Sequence, residues 1–309
     1  MNEQEQRAVL SICILAALAD GSQSEAERTQ IQRISEGFHR ESPELALAYQ
    51  EVLGQKAVLG DVVKSLQSPE ARSLAYEMSV CVCHADGVLS DAERQFLIDL
   101  RQGLQLPPES TAGLEAQAQQ LTRIEPLAVP PRIVEMARPD ADLDKMIVNY
   151  SILTAALELL PHSLATMAII PLQMKMVYQV GRQSGFELNR GHIKDFLATV
   201  GVGLTSQVVE GFARRLFGNF TRQIGGRLLG GLAGEAAGSA VAFGTTYALG
   251  QVAKRYYASG RTLSAAQLKE VFTSLLSEGN ALQTRYTTQI VQKSHQINVS
   301  DLLPLVKQS

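Results

Sequence analysis

The chain has 309 residues, enough for two domains, and its hydrophobic fraction of 45% is ordinary for a folded protein. The net charge of −3 conceals a division, because residues 1–144 carry 12 Lys and Arg against 23 Asp and Glu, while residues 145–309 carry 16 against 8. The basic second half therefore fits an anionic lipid surface or an acidic protein as partner. Its basic residues are interleaved with small and aliphatic ones, so we expect no nucleic-acid partner.

The N-terminal region is polar at its start and then apolar. Met1 to Glu5 is polar and acidic, which predicts that no cleavable signal peptide is present. Cys13, Cys81 and Cys83 lie in apolar helical stretches, and their odd number fits no disulfide framework. We therefore expect three free thiols in the core of a protein from a reducing compartment.

An internal repeat dominates the first half. Residues 19–28 and 85–94 share the pattern A-D-G-x-x-S-x-A-E-R, 66 positions apart. Each copy follows a short apolar stretch and precedes a segment of helical periodicity, which predicts helix, tight link and helix twice. The glycines are expected to end the first helix in left-handed backbone, and Ser24 and Ser90 to cap the second helix with a Glu three residues later.

The aspartates of the repeat, Asp20 and Asp86, are harder to explain. Each stands near the end of a helix, where the helix dipole disfavours a carboxylate. One explanation is structural, since a short link lets each aspartate reach free backbone amides. The other is a hard divalent cation, calcium or magnesium, held by four carboxylates if the two repeats pack about a pseudo-twofold axis: Asp20, Glu27, Asp86 and Glu93. Both explanations stay open, although the 12-residue ligand spacing of an EF-hand is absent.

From about Arg7 to Arg123 these motifs resemble the TerB-like family of bacterial tellurite-resistance and stress proteins. In that family a paired A-D-G-x-x-S-x-x-E signature marks an all-helical repeat. The resemblance implies an acidic helical domain over residues 1–125, with a metal-linked surface at the same four carboxylates and no established reaction. It also implies a role in the metal or envelope stress response of a bacterium.

A change of composition separates the two halves. Six of the eleven prolines fall between Pro107 and Pro139, and we place a Pro-rich linker at residues 126–144. A basic, Gly-rich helical domain is predicted at residues 145–280, ending in an amphipathic helix that Ser264 caps together with Gln267. Residues 281–309 are predicted to be a polar C-terminal tail that frays from Gln292 onward.

The segment between Arg227 and Lys254 has 26 residues and a single charge, Glu235, so it is long enough to cross a bilayer as a helix. Small residues recur there at four-residue spacing and form a predicted helix-packing or membrane ridge: Gly226, Gly230, Gly234, Gly238, Ala242, Thr246 and Gly250. Basic residues flank the segment: Arg214, Arg215, Arg222, Arg227, Lys254 and Arg255. They favour a membrane-inserted helical hairpin or a surface-bound element over a single span. A buried helix pair in a soluble bundle is the alternative.

Residues from about Leu157 to Phe272 are similar to the bacterial YcjF-type family, domain of unknown function 697. The similarity rests on Pro171–Val177, on Gly181–Gly185, on the Gly-rich segment, and on Gly244–Gly250 running into Arg255–Gly260. It implies an inner-membrane-linked helical protein that is often associated with GTPases. The chain contains no P-loop motif, so nucleotide chemistry would belong to a partner.

The sequence therefore predicts an all-α protein, in which a TerB-like helical repeat domain precedes a Gly-rich helical bundle. We expect a non-enzymatic, membrane-associated adaptor or scaffold of the bacterial cytoplasm at the inner membrane, with no assigned catalytic residue. The expected partners are membrane lipid or a membrane protein, a GTPase or another stress-system protein, and a second copy through the Gly-rich helices. The divalent cation is the one candidate cofactor. The alternatives are a metal-dependent enzyme using the paired carboxylates, or a soluble helical partner of a GTPase.

Overall fold

The computed structural model describes residues 1–20, 47–48, 50–52, 54, 57–122, 140–161, 163–202, 208–209, 211–213, 216 and 233–308. The regular elements of these residues are all helical, which confirms the predicted all-α fold. The chain divides into two compact units. One is drawn from Met1–Arg123 with Gly203–Glu235, and the other from Ile124–Val202 with Ala236–Ser309.

The first unit is built around a pair of helices that correspond to the two repeats. Its described helices are α1 (Glu3–Ala17), α2 (Leu59–Lys64), α3 (Pro69–Cys83), α4 (Asp91–Gly103) and α5 (Pro108–Thr122). Helix α1 packs mainly against α3, and α3 packs in turn against α4 and α5. The bounds of α1 and α3 differ by the same 66 positions that separate the two sequence motifs. The helices that precede the two motifs therefore repeat in the structure as they do in the sequence.

A buried carboxylate joins the beginnings of these two helices. Glu5 is only 3% exposed, and its Oε1 accepts hydrogen bonds from the backbone N–H groups of Ser68 (2.8 Å) and Gln67 (3.2 Å). Its Oε2 accepts a third bond from the backbone N–H of Asn2 at 3.1 Å. These bonds, led by that of the Ser68 backbone, lower the pKa of Glu5 to about 2. One side chain thus satisfies free amides at the N-termini of both α1 and α3.

The second unit is a packed helical bundle. Its helices are α6 (Asp140–Glu158), α7 (Ser163–Gln183), α8 (Arg190–Val200), α9 (Ala233–Ala258), α10 (Ala265–Gln296) and α11 (Leu302–Gln308), with a 3-10 turn at Val299–Asp301. Helix α6 packs against α7 and α10, and α8 packs against the same two helices. Ser264 caps α10, with Gln267 completing the capping box, as predicted from the sequence.

The structure differs from the predicted boundaries at two places. Helix α6 begins at Asp140, inside the predicted linker 126–144, and α10 continues without a break past residue 281, where the tail was expected to begin. The last residues form α11 on α7 instead of fraying, because Leu302 and Val306, one helical turn apart, are buried at 2% and 1% exposure.

Candidate functional site

The link of the second repeat lies between α3 and α4. Helix α3 ends at Cys83 with His84 as its C-cap, and Gly87 adopts left-handed backbone (φ +80°), as predicted. The Asp86 carboxylate accepts a hydrogen bond from the backbone N–H of Val88 at 2.8 Å, which closes an Asx turn. The aspartate therefore has a structural role in the link.

Ser90 and Glu93 form the predicted capping box at the start of α4. The Ser90 Oγ accepts a bond from the Glu93 backbone N–H at 3.2 Å, and Glu93 Oε2 accepts the Ser90 backbone N–H at 2.8 Å. The Ser90 hydroxyl also donates to the same Oε2 at 2.9 Å. The N-cap prediction for Ser90 is confirmed, and the corresponding Ser24 lies outside the described residues.

Carboxylates from both repeats act on one another here. The pKa of the half-buried Glu93 carboxyl is raised, first by burial and then by the negative charges of Asp20 and Asp86. Asp20 belongs to the first repeat and the other two to the second, so the fold brings the two acidic links into one electrostatic region. Glu27, the fourth predicted carboxylate, lies outside the described residues.

The region formed by Asp20, Asp86 and Glu93 is negatively charged. Among the residues that the structure describes, no group of three or more His, Cys, Asp and Glu side chains is arranged to hold a metal ion. Oxygen ligands of calcium must converge to within about 2.6 Å of the ion. The described carboxylates therefore give the region a negative charge, and cation binding there stays a prediction.

Buried thiols lie near these carboxylates. Cys13 and Cys83 are both buried and free, which confirms their assignment to the core. Burial raises the pKa of the Cys83 thiol, and the nearby negative charges of Glu93 and Asp20 raise it further. A thiol held neutral in this way is a poor nucleophile and a poor metal ligand. The cysteines therefore contribute packing to the acidic region.

The small-residue ridge lies on α9 in the second unit. Gly226 and Gly230 lie outside the described residues, and Gly234 lies in α9 without described surroundings. Of the others, Gly238 faces the Glu158 side chain of α6, since a Cβ there would come within 3.1 Å of Glu158 Cγ. Gly250 faces α6 and α7, because its Cβ would meet Ile147 Cγ2 at 2.6 Å and Met176 Sδ at 3.1 Å. Ala242 and Thr246 between them are buried.

Thr246 connects this ridge to two helices through hydrogen bonds. Its Oγ1 accepts a bond from Gln173 Nε2 of α7 at 3.0 Å and lies 2.9 Å from Thr154 Oγ1 of α6. All three side chains are fully buried. Among the described residues, the Oε1 atom of Gln173 has no hydrogen-bond partner. The sequence pattern did not indicate the contacts of Thr154 and Gln173 with Thr246, because they join residues 92 and 73 positions apart.

A second face of α9 carries another glycine contact that the four-residue spacing did not include. Gly244 faces α10, where a Cβ on Gly279 would lie 3.0 Å from the Gly244 Cα and 3.1 Å from its carbonyl oxygen. The two backbones cross closely because neither residue has a side chain. Next to this crossing, Tyr247 donates a hydrogen bond to Glu278 at 2.8 Å. Helix α9 thus packs through glycine on two sides.

The predicted basic flank is only partly described. Lys254 is not available as a free charge, because its ammonium group lies 2.9 Å from Asp144 and 3.5 Å from Asp140, both on α6. Arg255 is exposed. The remaining flank residues lie outside the described part of the chain: Arg214, Arg215, Arg222 and Arg227. Within the described residues, no helix combines the length and apolar character needed to cross a bilayer.

Comparison with known proteins extends to the repeat domain alone. Residues 1–118 match the model of a family described as "Protein of unknown function (DUF533)", which is a TerB-like family. No curated protein and no solved structure matches the chain. The second half has no counterpart in these comparisons, so its YcjF-type resemblance stays a prediction. Over residues 1–118, the chain is similar to the TerB-like family DUF533.

Proposed function

We propose that the protein is a non-enzymatic adaptor whose repeat domain binds a cationic partner at the acidic link. The observation that supports this most directly is that the pKa of Glu93 is raised, first by burial and then by the negative charges of Asp20 in the first repeat and Asp86 in the second. Like charges held together destabilise the unbound protein. A cation bound among them relieves that repulsion, so the link stores free energy that favours binding.

Two kinds of cation fit this proposal, and they make different demands. A calcium or magnesium ion needs several oxygen ligands around one point, and the fourth predicted carboxylate, Glu27, would contribute to them. A Lys- or Arg-rich segment of a partner protein needs only a negative surface, because each of its charges can pair separately. The described carboxylates already provide the negative surface that a Lys- or Arg-rich segment needs. Binding of calcium or magnesium is the more specific proposal, and it is the one that we test.

The test is a calorimetric titration of the full chain with calcium chloride and then magnesium chloride at low ionic strength. The variant is Asp20→Asn with Asp86→Asn, because asparagine keeps the oxygen that accepts the Val88 N–H while it removes the charge. The matched control is Asp99→Asn, an exposed aspartate on α4 that accepts a bond from Gln95. We expect saturable binding in the wild type and the control. In the double variant we expect the affinity to be lower by about tenfold or more. Equal affinity in all three proteins would contradict the proposal.

The adaptor proposal includes a membrane location and protein partners, which rest on the basic second half of the sequence. Fractionation of cells with a carbonate wash separates integral, peripheral and soluble protein in one measurement. We expect the chain in the membrane fraction, with a GTPase or another stress-system protein as its partner, or a second copy through the Gly-rich helices. Recovery entirely in the soluble fraction would remove the membrane part and leave the cation proposal untouched. A tight, stoichiometric metal with turnover of a substrate would instead favour the metal-dependent enzyme.

A further inference from the structure

The end of the chain folds back on α7 through few contacts. After α10 ends at Gln296, Ile297 has extended backbone (φ −94°, ψ 122°), and the 3-10 turn leads into α11. Three apolar side chains of this segment are buried: Ile297, Leu302 and Val306. We call residues 297–308 the strap. Its short helix cannot persist alone in water, because isolated helices of fewer than about 12 residues are unstable.

One polar contact accompanies the apolar ones. Lys175 of α7 donates a hydrogen bond from its ammonium group to the Val306 carbonyl at 2.8 Å. This carbonyl belongs to the last turn of α11, whose carbonyl groups lack partners within the helix. Within the described part of the chain, Lys175 forms no ion pair. When the strap is closed, the charged ammonium group of Lys175 is therefore partly buried, and the Val306 carbonyl that accepts its hydrogen bond is neutral.

Burying a charge beside a neutral acceptor costs more than the hydrogen bond returns. We propose that the strap is a detachable element that opens to return the Lys175 ammonium group to water, and that it closes more tightly when Lys175 is neutral. The apolar anchors hold it closed, and the lysine charge opposes them. The two effects act on one short segment, so its equilibrium responds to the charge on a single side chain.

The electrostatic surroundings of Lys175 support this. Burial is the cause that lowers the pKa of its ammonium group from 10.5 to about 8. A lowered lysine pKa means that the open strap binds the proton more strongly than the closed one. Closure is therefore favoured as the pH rises from about 8 towards 10.5, and the charge opposes it fully below about 8.

Other charged groups do not account for this shift, although several lie on neighbouring elements. Among the side chains that the structure describes, the charged and titratable ones on α7 and on the elements packed against it are Tyr178, Arg182, Asp140, Asp142, Asp144, Lys145, Tyr150, Glu158, Arg190, His192, Lys194, Asp195, Tyr247, Lys254, Arg255, Tyr256, Tyr257 and Asp301. None of them is a cause of the lowered pKa of Lys175. The response therefore belongs to Lys175 and the strap.

The experiment is quenched-flow hydrogen exchange of the full chain at pH 7 and pH 9, with peptides that cover residues 297–308. Rates are corrected for the intrinsic effect of pH on exchange. A pKa lowered from 10.5 to about 8 corresponds to a factor of about 300 at most. Because pH 9 lies well below 10.5, only part of this factor is gained between pH 7 and pH 9, and we expect about threefold to tenfold more protection at pH 9 in the wild type.

Three variants separate the lysine charge from mere packing. Lys175→Met should show the higher protection already at pH 7 and no change with pH, and Lys175→Arg should stay loosely protected at both. Lys269→Met, at an exposed lysine of α10, should behave as the wild type. The proposal is wrong if Lys175→Met lowers the exchange protection of the strap. It is also wrong if protection in this variant changes with pH as much as it does in the wild type. If that variant does not fold, the pKa of Lys175 measured by NMR in the wild type decides, and a value near 10.5 refutes the proposal.

Discussion

Gly250 offers a direct test of how closely α9 approaches its neighbours. Gly250→Ala adds a single methyl group in the middle of a helix, which by helix propensity alone stabilises the protein by about 0.8 to 1.0 kcal/mol. The added Cβ, however, would lie 2.6 Å from Ile147 Cγ2 and 2.8 Å from Ile147 Cγ1. Carbon atoms in contact prefer about 3.5 to 4.0 Å, so the overlap is about 1 Å.

Ile147 has little freedom to move away. It is fully buried, and its branched Cβ restricts the side chain to few rotamers. Overpacking of this kind costs about 1 to 3 kcal/mol, so the gain in propensity leaves a net loss of about 0 to 2 kcal/mol. Calorimetric unfolding of the full chain measures this net change in the free energy of unfolding. Ala281→Gly, at an exposed position of α10 in the same structural unit, measures the effect of helix propensity alone. It should lower the free energy of unfolding by about 0.8 to 1.0 kcal/mol.

A double-mutant cycle identifies the contact. In the Gly250→Ala background, Ile147→Ala should cost at least about 1 kcal/mol less than in the wild type, because the overlap is then absent. Additive effects would show that the two residues do not meet. A Gly250→Ala protein that gains what Ala281→Gly loses would refute the close packing of α9.

The remaining predictions concern capping, acid stability and the buried polar contacts. Ser90→Ala should lower the free energy of unfolding by about 0.5 to 2 kcal/mol and Ser90→Gly by a few tenths, and equal denaturation midpoints would contradict the cap. The pKa of Glu5, lowered to about 2, stabilises the fold above the ordinary carboxyl pKa of 4.5, and this effect is lost as the pH falls towards 2. Glu5→Gln should therefore differ from the wild type at pH 6 and converge with it near pH 2, unlike the exposed Glu3→Gln. Gln173→Met should change stability by less than about 1 kcal/mol, because the lost bond from Nε2 to Thr246 is offset by removal of an amide oxygen that has no partner among the described residues, while Thr246 keeps its contact with Thr154.

Local signals in the sequence were sufficient for the elements that depend on neighbouring residues. The repeat predicted the helix–link–helix arrangement around Gly87, and the spacing of Ser90 and Glu93 predicted the capping box that the structure contains. Ser264 and Gln267 were predicted in the same way. Each depends on residues within three or four positions, where spacing fixes geometry.

Contacts between distant residues could not be predicted in this way. Glu5 lies in the polar N-terminal stretch, whose sequence does not predict a buried role. Its carboxylate nevertheless accepts hydrogen bonds from backbone N–H groups 62 and 63 residues away. Lys254 was expected in a basic flank, and it pairs with Asp144, a residue assigned to a linker. The polar composition of the strap predicts fraying, but its three buried apolar residues, Ile297, Leu302 and Val306, hold it on the fold. In each case the partner comes from another helix, and the packing of helices is not encoded in local spacing.

The cation proposal is tested most directly by the Glu93 carboxylate itself. The carboxyl carbon of Glu93 can be followed by ¹³C NMR in the full chain, at low ionic strength, while magnesium chloride is added. If the acidic link binds a cation, the signal shifts saturably and the raised pKa of Glu93 falls towards its ordinary value, while exposed Glu3 changes little. If Glu93 and Glu3 respond alike, and only at salt concentrations that screen every surface charge, the acidic link does not bind a cation.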